Sequence, residues 1–340
     1  MKGFAEKNSG ESQITRVGSI FDKSNIPLLL LLLVPLGVSD FYYLQIIDTI
    51  GIYIIFAISI NILLGFLGQI SFGQAGFWGI GAYTSAMLST SLNFPFFLCV
   101  VSSMACAGLF GLLIGLPALR LRGSYLALAT LSFGLIVQLI MLRWISVTNG
   151  PNGIIDIPPA SIFGFAFNTE ARFYYLLWFF LVLSHIFCKR LRYSRLGYAM
   201  QAVKIDEVSS MMAGIDISRV KLIGFIISAM MAGLSGSLLS HFMGFIAPEL
   251  FSVNASILVL TIIVLGGGGT FVGPWLGSAL IIGSSEWFRW LGLYREVAYG
   301  IIIVLVIIYM PQGLHGWLSK LIQKCRGARV HVSIEGGRNR

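Results

Sequence analysis

The chain has 340 residues, of which 56% are hydrophobic and only 11% are charged, and its net charge is +9. Soluble domains carry about 25% charged residues, so this composition indicates an integral membrane protein. The positive charge does not indicate nucleic-acid binding, because Lys and Arg cluster at the ends of hydrophobic stretches, as membrane topology requires.

Ten apolar stretches follow one another along the chain, and a membrane crossing needs about 20 such residues, or fewer where protein shields them. The predicted spans are 26–38, 46–64, 70–90, 95–119, 124–142, 173–188, 222–242, 255–268, 274–290 and 297–310. The predicted fold is therefore all-α, with about ten transmembrane segments (8–10), some of them broken by Gly or Pro. An even number places both termini on the same side.

The basic residues support one orientation of these spans. With the N-terminus inside the cell, 19 of the 23 Lys and Arg residues face the cytoplasm, as the positive-inside rule demands. The predicted organisation is a cytoplasmic tail over 1–25, a transmembrane domain over 26–318 and a basic cytoplasmic tail over 319–340. Residues 189–221 then form a cytoplasmic loop, and residues 144–171 form the longest outer loop.

The cytoplasmic loop has a helical pattern. It holds seven of the Lys and Arg residues, and its apolar residues recur at steps of three or four, which predicts one amphipathic helix. The apolar face consists of Tyr198, Ala202, Ile205, Val208, Met212 and Ile215. Gly214 is a predicted helix stop.

Glycine is concentrated in two of the spans. The first set is Gly73, Gly76, Gly79 and Gly81, and the second is Gly266, Gly269, Gly273 and Gly277. Spacing by four places Gly269, Gly273 and Gly277 on one helix face, which permits close helix approach, as it does for Gly111 and Gly115. The run of four glycines from Gly266 predicts a break, tolerated in a membrane only where backbone is buried or lines a cavity. Both a solute pathway and tight packing without one fit this pattern.

No charged residue is expected in the middle of a span; Asp48 is placed near an outer end. Ion-coupled carriers usually keep such groups in the membrane, so this pattern counts against ion coupling. The chain has no G-x-x-x-x-G-K-[ST] motif for ATP hydrolysis, and no catalytic residues, cofactor or metal site is expected. The four cysteines show no metal or redox spacing, and the three that lie in apolar stretches are expected to be small buried residues.

Several stretches together resemble one family, the permease subunits of ABC importers for branched-chain amino acids, of the LivM type. They include "GQISFGQAGFWGIGAYTSAML" (68–88), "TNGPNGI" (148–154), "SRLGYAMQAVKIDEVSSMMAGI" (194–215) and "VLGGGGTFVGPWLGSAL" (264–280). Each motif is weak alone, but their number and order, over about residues 51–314, carry the resemblance. The resemblance implies the ABC importer permease fold in a bacterial inner membrane.

The resemblance also implies partners and roles for named residues. The cytoplasmic loop becomes a coupling helix that docks on two ATPase subunits, through Arg195, Ala202, Lys204, Asp206, Glu207 and Gly214. A second, homologous permease would complete the pathway lined by the glycines. A solute-binding protein would dock on the outer loop, at Asn149, Gly150, Pro151, Asn152 and Gly153.

Five positions depart from the family pattern, and two of them are Ser209 and Ser210, which stand where alanines are common. Lys204 and Ile205 stand where the family usually has Arg and then Glu, which changes the charges offered to the ATPase. Gln74 replaces a frequent histidine, a change also found in related urea-importer permeases. A permease for urea or short amides is therefore one alternative, and an ion-coupled secondary carrier or a channel is another.

Overall fold

A computed structural model describes residues 40–118, 121, 123–162, 165–287 and 314. The predicted first span, 26–38, and last span, 297–310, lie outside these residues, as do both tails. Within the described part, helices dominate. The elements are α1 Phe41–Ile60, α2 Gln74–Ser91, α3 Phe96–Ala118, α4 Ser124–Arg143, α5 Ile145–Thr148, β1 Ser161–Ile162, β2 Phe165–Ala166, α6 Glu170–Arg192, α7 Arg195–Ile205, α8 Glu207–Met212, α9 Ile217–Met243, α10 Val253–Gly266 and α11 Gly273–Trp287.

The eight predicted spans from 46–64 to 274–290 each overlap a helix as far as the described residues reach, so the helical part of the prediction is confirmed there. Among the described residues, five helices are long and apolar enough to cross a membrane: Phe41–Leu67, Phe96–Pro117, Ser124–Arg143, Glu170–Arg192 and Ile217–Met243. Helices α10 and α11 have 14 and 15 residues, fewer than the length of about 20 that spans a bilayer unaided. The structure supports an all-α membrane protein, while a total of ten spans stays a prediction.

Helix α9 is the centre of the bundle and packs against α1, α2 and α3. Its sequence is rich in Ser, Gly and Ala, and small residues let membrane helices approach closely. Helices α3 and α4 lie at the periphery, where the exposed side chains are large and apolar, as a lipid-facing surface requires. These residues include Phe97, Val101, Leu109, Leu128 and Ile136.

Helix α1 does not end as a regular α-helix. It continues as a π-helix over Asn61–Leu67, and Gly68, with φ +71°, ends it in the left-handed conformation. Such π-helical segments are rare and are frequent at functional sites. The predicted start of the next span at Ile70 is wrong, since α2 begins only at Gln74 and residues 68–73 form a turn.

The connections gather at two ends of the bundle. One end holds the turn at 68–73, the 189–221 loop and the break between α10 and α11, since Lys204 bonds to Gly65 and Arg192 bonds to Gly269. The other end holds the 144–171 loop, where Ile154 and Ile246 form a two-way backbone bridge. A two-residue antiparallel pair, β1 with β2, adds a small strand element that the all-α prediction lacked.

Candidate functional site

The 189–221 loop is ordered by its own hydrogen bonds. Ser194 caps α7, because its hydroxyl accepts the Gly197 N–H at 3.1 Å, which satisfies one free donor of the first turn. A side chain on Gly197 would strike the backbone of Arg192, so only glycine permits the tight entry from α6. Met200 and Val203 are buried and fasten α7 to the bundle.

Asp206 interrupts the loop helix. Its backbone is extended (φ −157°, ψ 116°), and its carboxylate accepts the N–H groups of Val208 at 2.8 Å and Ser209 at 3.4 Å. The Ser209 hydroxyl, together with these two N–H groups, holds the pKa of the Asp206 carboxyl below its usual value. The prediction of one continuous amphipathic helix is wrong, because Asp206 is a better cap than a helix-interior residue.

The predicted helix stop at Gly214 is confirmed. Gly214 has φ +81°, its N–H donates to the Met211 carbonyl, and the Ile215 N–H donates to the Ser210 carbonyl. This pair of bonds is a Schellman motif, which needs a left-handed residue and therefore favours glycine. The loop consequently has a defined start, break and end.

Only some of the apolar residues of α7 and α8, such as Met200 and Val203, pack onto the bundle. Five others are exposed and together form what we call the docking face: Tyr198, Ile205, Val208, Met211 and Met212. Ile205 and Met212 are 86% and 80% exposed. A cluster of large apolar side chains on a hydrogen-bonded scaffold is typical of a surface that a partner covers.

The residues of the loop that are predicted to contact the ATPases have different surroundings. Arg195 is exposed and Ala202 is half-buried. Glu207 forms an ion pair of 2.5 Å with Lys221, whose side chain is only 6% exposed, so this pair joins α8 to α9. Lys204 is exposed, and its ammonium donates to the Gly65 carbonyl at 2.8 Å, while a contact of Lys204 with a partner stays a prediction.

The first set of glycines lies at close helix contacts. A Cβ on Gly73 would meet the Thr130 carbonyl at 2.7 Å, and one on Gly76 would meet Gly134 at 3.3 Å. Gly79 lies against Met141 and Phe251, and Gly81 lies against the Gly233 backbone. The described structure thus uses these glycines for packing, while a role in lining a pathway stays a prediction.

The second set surrounds the break between α10 and α11. Helix α10 ends at Gly266 and α11 starts at Gly273, so the predicted break is confirmed. A Cβ on Gly266 would lie 2.7 Å from the Gly273 carbonyl carbon, and one on Gly277 would lie 2.8 Å from that of Ile262. The expectation that Gly269 shares a helix face with Gly273 and Gly277 is wrong, because Gly269 lies before the start of α11 and has φ +83°.

A series of buried hydrogen bonds joins helices of the bundle, and no local sequence pattern indicates it. The Gln74 amide donates to Ser228 at 2.6 Å, and Ser228 donates to the Ser59 carbonyl. The Trp78 indole likewise donates to Ser235 at 3.2 Å. Gln74 is fully buried; its Nε2 joins α2 to α9, and its Oε1 has no hydrogen-bond partner among the described residues.

The outer loop is fastened to the end of α9. Asn149 and Gly150 have positive φ values, as does Gly153, and Pro151 and Asn152 belong to a single 3₁₀ turn. His241 donates from Nδ1 to the Pro158 carbonyl at 2.8 Å, so its Nε2 accepts the Ser85 hydroxyl at 3.0 Å. These bonds give the loop a fixed shape at the rim of the bundle.

The side chain of Asp48 is enclosed by neighbouring helices, which the sequence did not indicate. It is within α1, is 0% exposed, and neither carboxylate oxygen has a hydrogen-bond partner among the described residues. The placement near an outer end missed this burial, since the sequence does not show which side of α1 faces the other helices. An unpaired acid inside a membrane protein is costly and is a candidate functional group.

An open cavity of about 870 Å³ lies beside the loop. It is bounded by the turn at 67–72, by the start of α4 and by residues 203–207 at the junction of α7 and α8. Among the described residues, no group of three or more His, Cys, Asp or Glu side chains could hold a metal ion.

Apolar helices long enough to span a membrane, close glycine packing and an ordered polar loop are the features of a multi-pass membrane protein. Comparison with known proteins makes this specific. Residues 42–310 match the family described as "Branched-chain amino acid transport system / permease component", and the chain belongs to this family.

The chain is similar to permease proteins of two named types. It is 37% identical to the high-affinity branched-chain amino acid transport system permease protein LivM of Escherichia coli K12, over 77% of this chain and 67% of the relative. It is 29% identical to the LivH protein of the same strain, over 78% of this chain and 91% of the relative. A probable LivM protein of Methanocaldococcus jannaschii is 22% identical over 78% of the chain and 90% of the relative. No solved structure matches the chain.

Proposed function

We propose that this protein is the permease subunit of an ATP-driven importer for branched-chain amino acids. In this proposal separate ATPase subunits dock on the 189–221 loop. The observation that carries the proposal is the docking face, in a chain that belongs to a transport-permease family. Five large apolar side chains held in water by a capped scaffold fit a helix-in-groove contact with a partner.

The loop suits the transmission of movement. Its start, break and end are set by Ser194, Asp206 and Gly214, and its rear is fastened by Met200, Val203 and the Lys221 ion pair. A rigid body of this kind moves as a lever when its partner moves, and closure of two ATPases would switch the permease between outward and inward access.

The remaining partners follow from the family. A second, homologous permease would complete the pathway, consistent with the similarity to both LivM and LivH proteins. A solute-binding protein would dock on the outer loop at Asn149–Gly153, whose shape His241 and Ile246 hold. We place both termini and the 189–221 loop in the cytoplasm and the protein in a bacterial inner membrane, on the distribution of Lys and Arg.

Two observations bear on the alternatives. Gln74, the residue shared with urea-importer permeases, bonds to Ser228 inside the bundle, so its identity says little about the solute. The buried Asp48 is the feature that favours an ion-coupled carrier. Its role in transport therefore needs a separate test, by substitution of Asp48 alone.

The docking proposal is tested with Val208→Asp, because Val208 is 59% exposed on the docking face. A charge at the centre of an apolar contact is expected to abolish ATPase co-purification and ATP-driven leucine uptake in proteoliposomes. Ser218→Asp is the matched control, since Ser218 is exposed on the same loop but outside the docking face. Uptake and ATPase binding by Val208→Asp at the level of Ser218→Asp would refute the docking assignment.

The solute is tested in the same vesicles. Leucine and urea are supplied in turn with the cognate binding protein, and the proposal expects ATP-dependent accumulation of leucine. Accumulation of urea alone would move the assignment to the urea and amide class. Accumulation driven by an ion gradient without ATPases would favour the carrier.

A further inference from the structure

Two cationic side chains of the loop point away from the docking face and into the bundle. Lys204, at the end of α7, donates from Nζ to the Gly65 carbonyl at 2.8 Å. Arg192, at the end of α6, donates from Nη1 to the Gly269 carbonyl. Both acceptors belong to segments that are not regular helix, namely the π-helix Asn61–Leu67 and the break at 267–272.

These two irregular segments contact each other directly. A Cβ on Gly65 would lie 2.5 Å from the Gly269 nitrogen and 2.9 Å from its Cα. Asn61 bonds across the contact twice: its Oδ1 accepts the Gly269 N–H at 2.8 Å, and its Nδ2 donates to the Thr270 carbonyl at 3.0 Å. The π-helix and the break are therefore held together by one amide side chain and two glycines.

The Arg192 guanidinium is held at this contact from both sides. It lies 5.6 Å from the ring centre of Phe66, on the π-helix, and 5.1 Å from that of Phe271, in the break. Cation–π attraction adds to the bond with Gly269. Arg192 thus contacts both segments, and Lys204 contacts the π-helix at Gly65, the residue next to Phe66.

The irregular segments are suited to change shape. Gly68, Gly267 and Gly269 have φ values between +71° and +105°, and glycine reaches alternative backbone states at little cost. Short π segments within helices are frequent at functional sites. A displacement of the loop would reach this contact through Lys204 and Arg192, in parallel with the Glu207–Lys221 ion pair that joins the loop to α9.

We infer that Lys204 and Arg192 are positioning residues that transmit movement of the 189–221 loop to the contact between the π-helix and the 267–272 break. This inference rests on the proposed function, since it takes ATPase docking as the source of the movement. A purely static role is the alternative, because a cation near the C-terminal end of a helix is favourable in itself. A static role would change stability and leave the response to nucleotide unchanged.

The experiment places a reporter in the break and changes the cations. Val272, 44% exposed, is replaced by cysteine in a chain whose four native cysteines are replaced by alanine, assembled with its ATPases in vesicles. The rate of thiol labelling is measured with and without a non-hydrolysable ATP analogue. Lys204→Met and Arg192→Met are compared with the conservative Lys204→Arg and with Arg219→Met. Arg219 is a loop cation whose side chain is 83% exposed and, among the described residues, forms its ion pair within the loop, with Asp216.

We expect nucleotide to change the labelling rate in the parent, in Lys204→Arg and in Arg219→Met. In Lys204→Met and Arg192→Met the change should shrink by about 2- to 30-fold, the range that substitutions along a coupling route produce. If Lys204→Met does not assemble, Lys204→Gln, which keeps a donor of shorter reach, takes its place.

The outcomes separate the inference from the proposed function. An equal nucleotide response in the parent and in both Met variants overturns the inference and leaves the proposed function intact. A parent reporter that ignores nucleotide while ATP-driven uptake proceeds also overturns the inference. Absence of both ATPase association and ATP-driven uptake in the parent overturns the proposed function.

Discussion

The contact between α2 and α9 depends on Gly81, and Gly81→Ala is the sharpest test of the glycine packing. A Cβ at this position would lie 2.8 Å from the Gly233 carbonyl carbon and closer still to the Gly233 Cα and oxygen. Ordinary contacts begin at 3.4 Å, so the helices would have to separate by at least about 0.6 Å. The obstacle is backbone, which no side-chain rotation removes.

The cost of this separation is about 1–3 kcal/mol, the range for overpacking in a filled interior. Two hydrogen bonds lie close enough to weaken as well: Ser103 donates to the Gly81 carbonyl at 2.8 Å, and Trp78 donates to Ser235 at 3.2 Å. We therefore expect the upper half of the range. The free energy of unfolding is measured by denaturing-detergent titration of the purified protein in mixed micelles.

Gly283→Ala is the matched control, since Gly283 lies within α11 and a Cβ there has no atom within 4 Å. This control is expected to be neutral or to stabilise by up to about 1 kcal/mol, because alanine is the better helix former. Equal free energies of unfolding for Gly81→Ala and Gly283→Ala would refute the close packing of α2 on α9.

Three further predictions test other parts of the molecule. Asp48→Asn removes a buried acid that has no hydrogen-bond partner among the described residues. It should preserve ATP-driven uptake and raise the free energy of unfolding. Loss of uptake in a normally folded variant would favour ion coupling. Gly153→Ala places a Cβ 2.9 Å from the Ile246 carbonyl carbon at a residue with φ +66°, so the outer loop should become sensitive to protease. Gly244→Ala is the control: its φ is also positive, at +70°, but its Cβ would meet one atom, at 4.0 Å, so it reports the backbone strain without the clash. The pKa of Asp206 is lower in the folded protein than in the unfolded chain. The stability that its carboxylate gives α8 is therefore complete above the unfolded pKa of about 3.9, and it is lost as the pH falls through the folded pKa. The protection factors of the Val208 and Ser209 amides, which correct exchange for its intrinsic pH dependence, should therefore stay constant around neutral pH and fall only in acid. A fall in protection near pH 6 would contradict this.

Much of the architecture follows from the sequence because its causes are local. Long apolar stretches require helices in a membrane, since unpaired backbone groups are too costly there. The run from Gly266 predicts a break because glycine weakens a helix wherever it lies. Gly214 predicts a helix end because a left-handed residue is needed to close it. These features need no knowledge of neighbouring helices.

Tertiary structure decided which face each segment buries and what each polar side chain meets. The periodicity around Tyr198 and Ile205 is compatible with either a packed or an exposed face, and only the anchoring of Met200 and Val203 leaves the docking face in water. Lys204 looks like a surface charge in sequence, yet its acceptor lies 139 positions away, at Gly65. Sequence alone determined the helices, the break and the loop, because local backbone chemistry controls them. The buried serine bonds, the burial of Asp48 and the joining of the loop to the break arise from packing between distant segments, which no local pattern encodes.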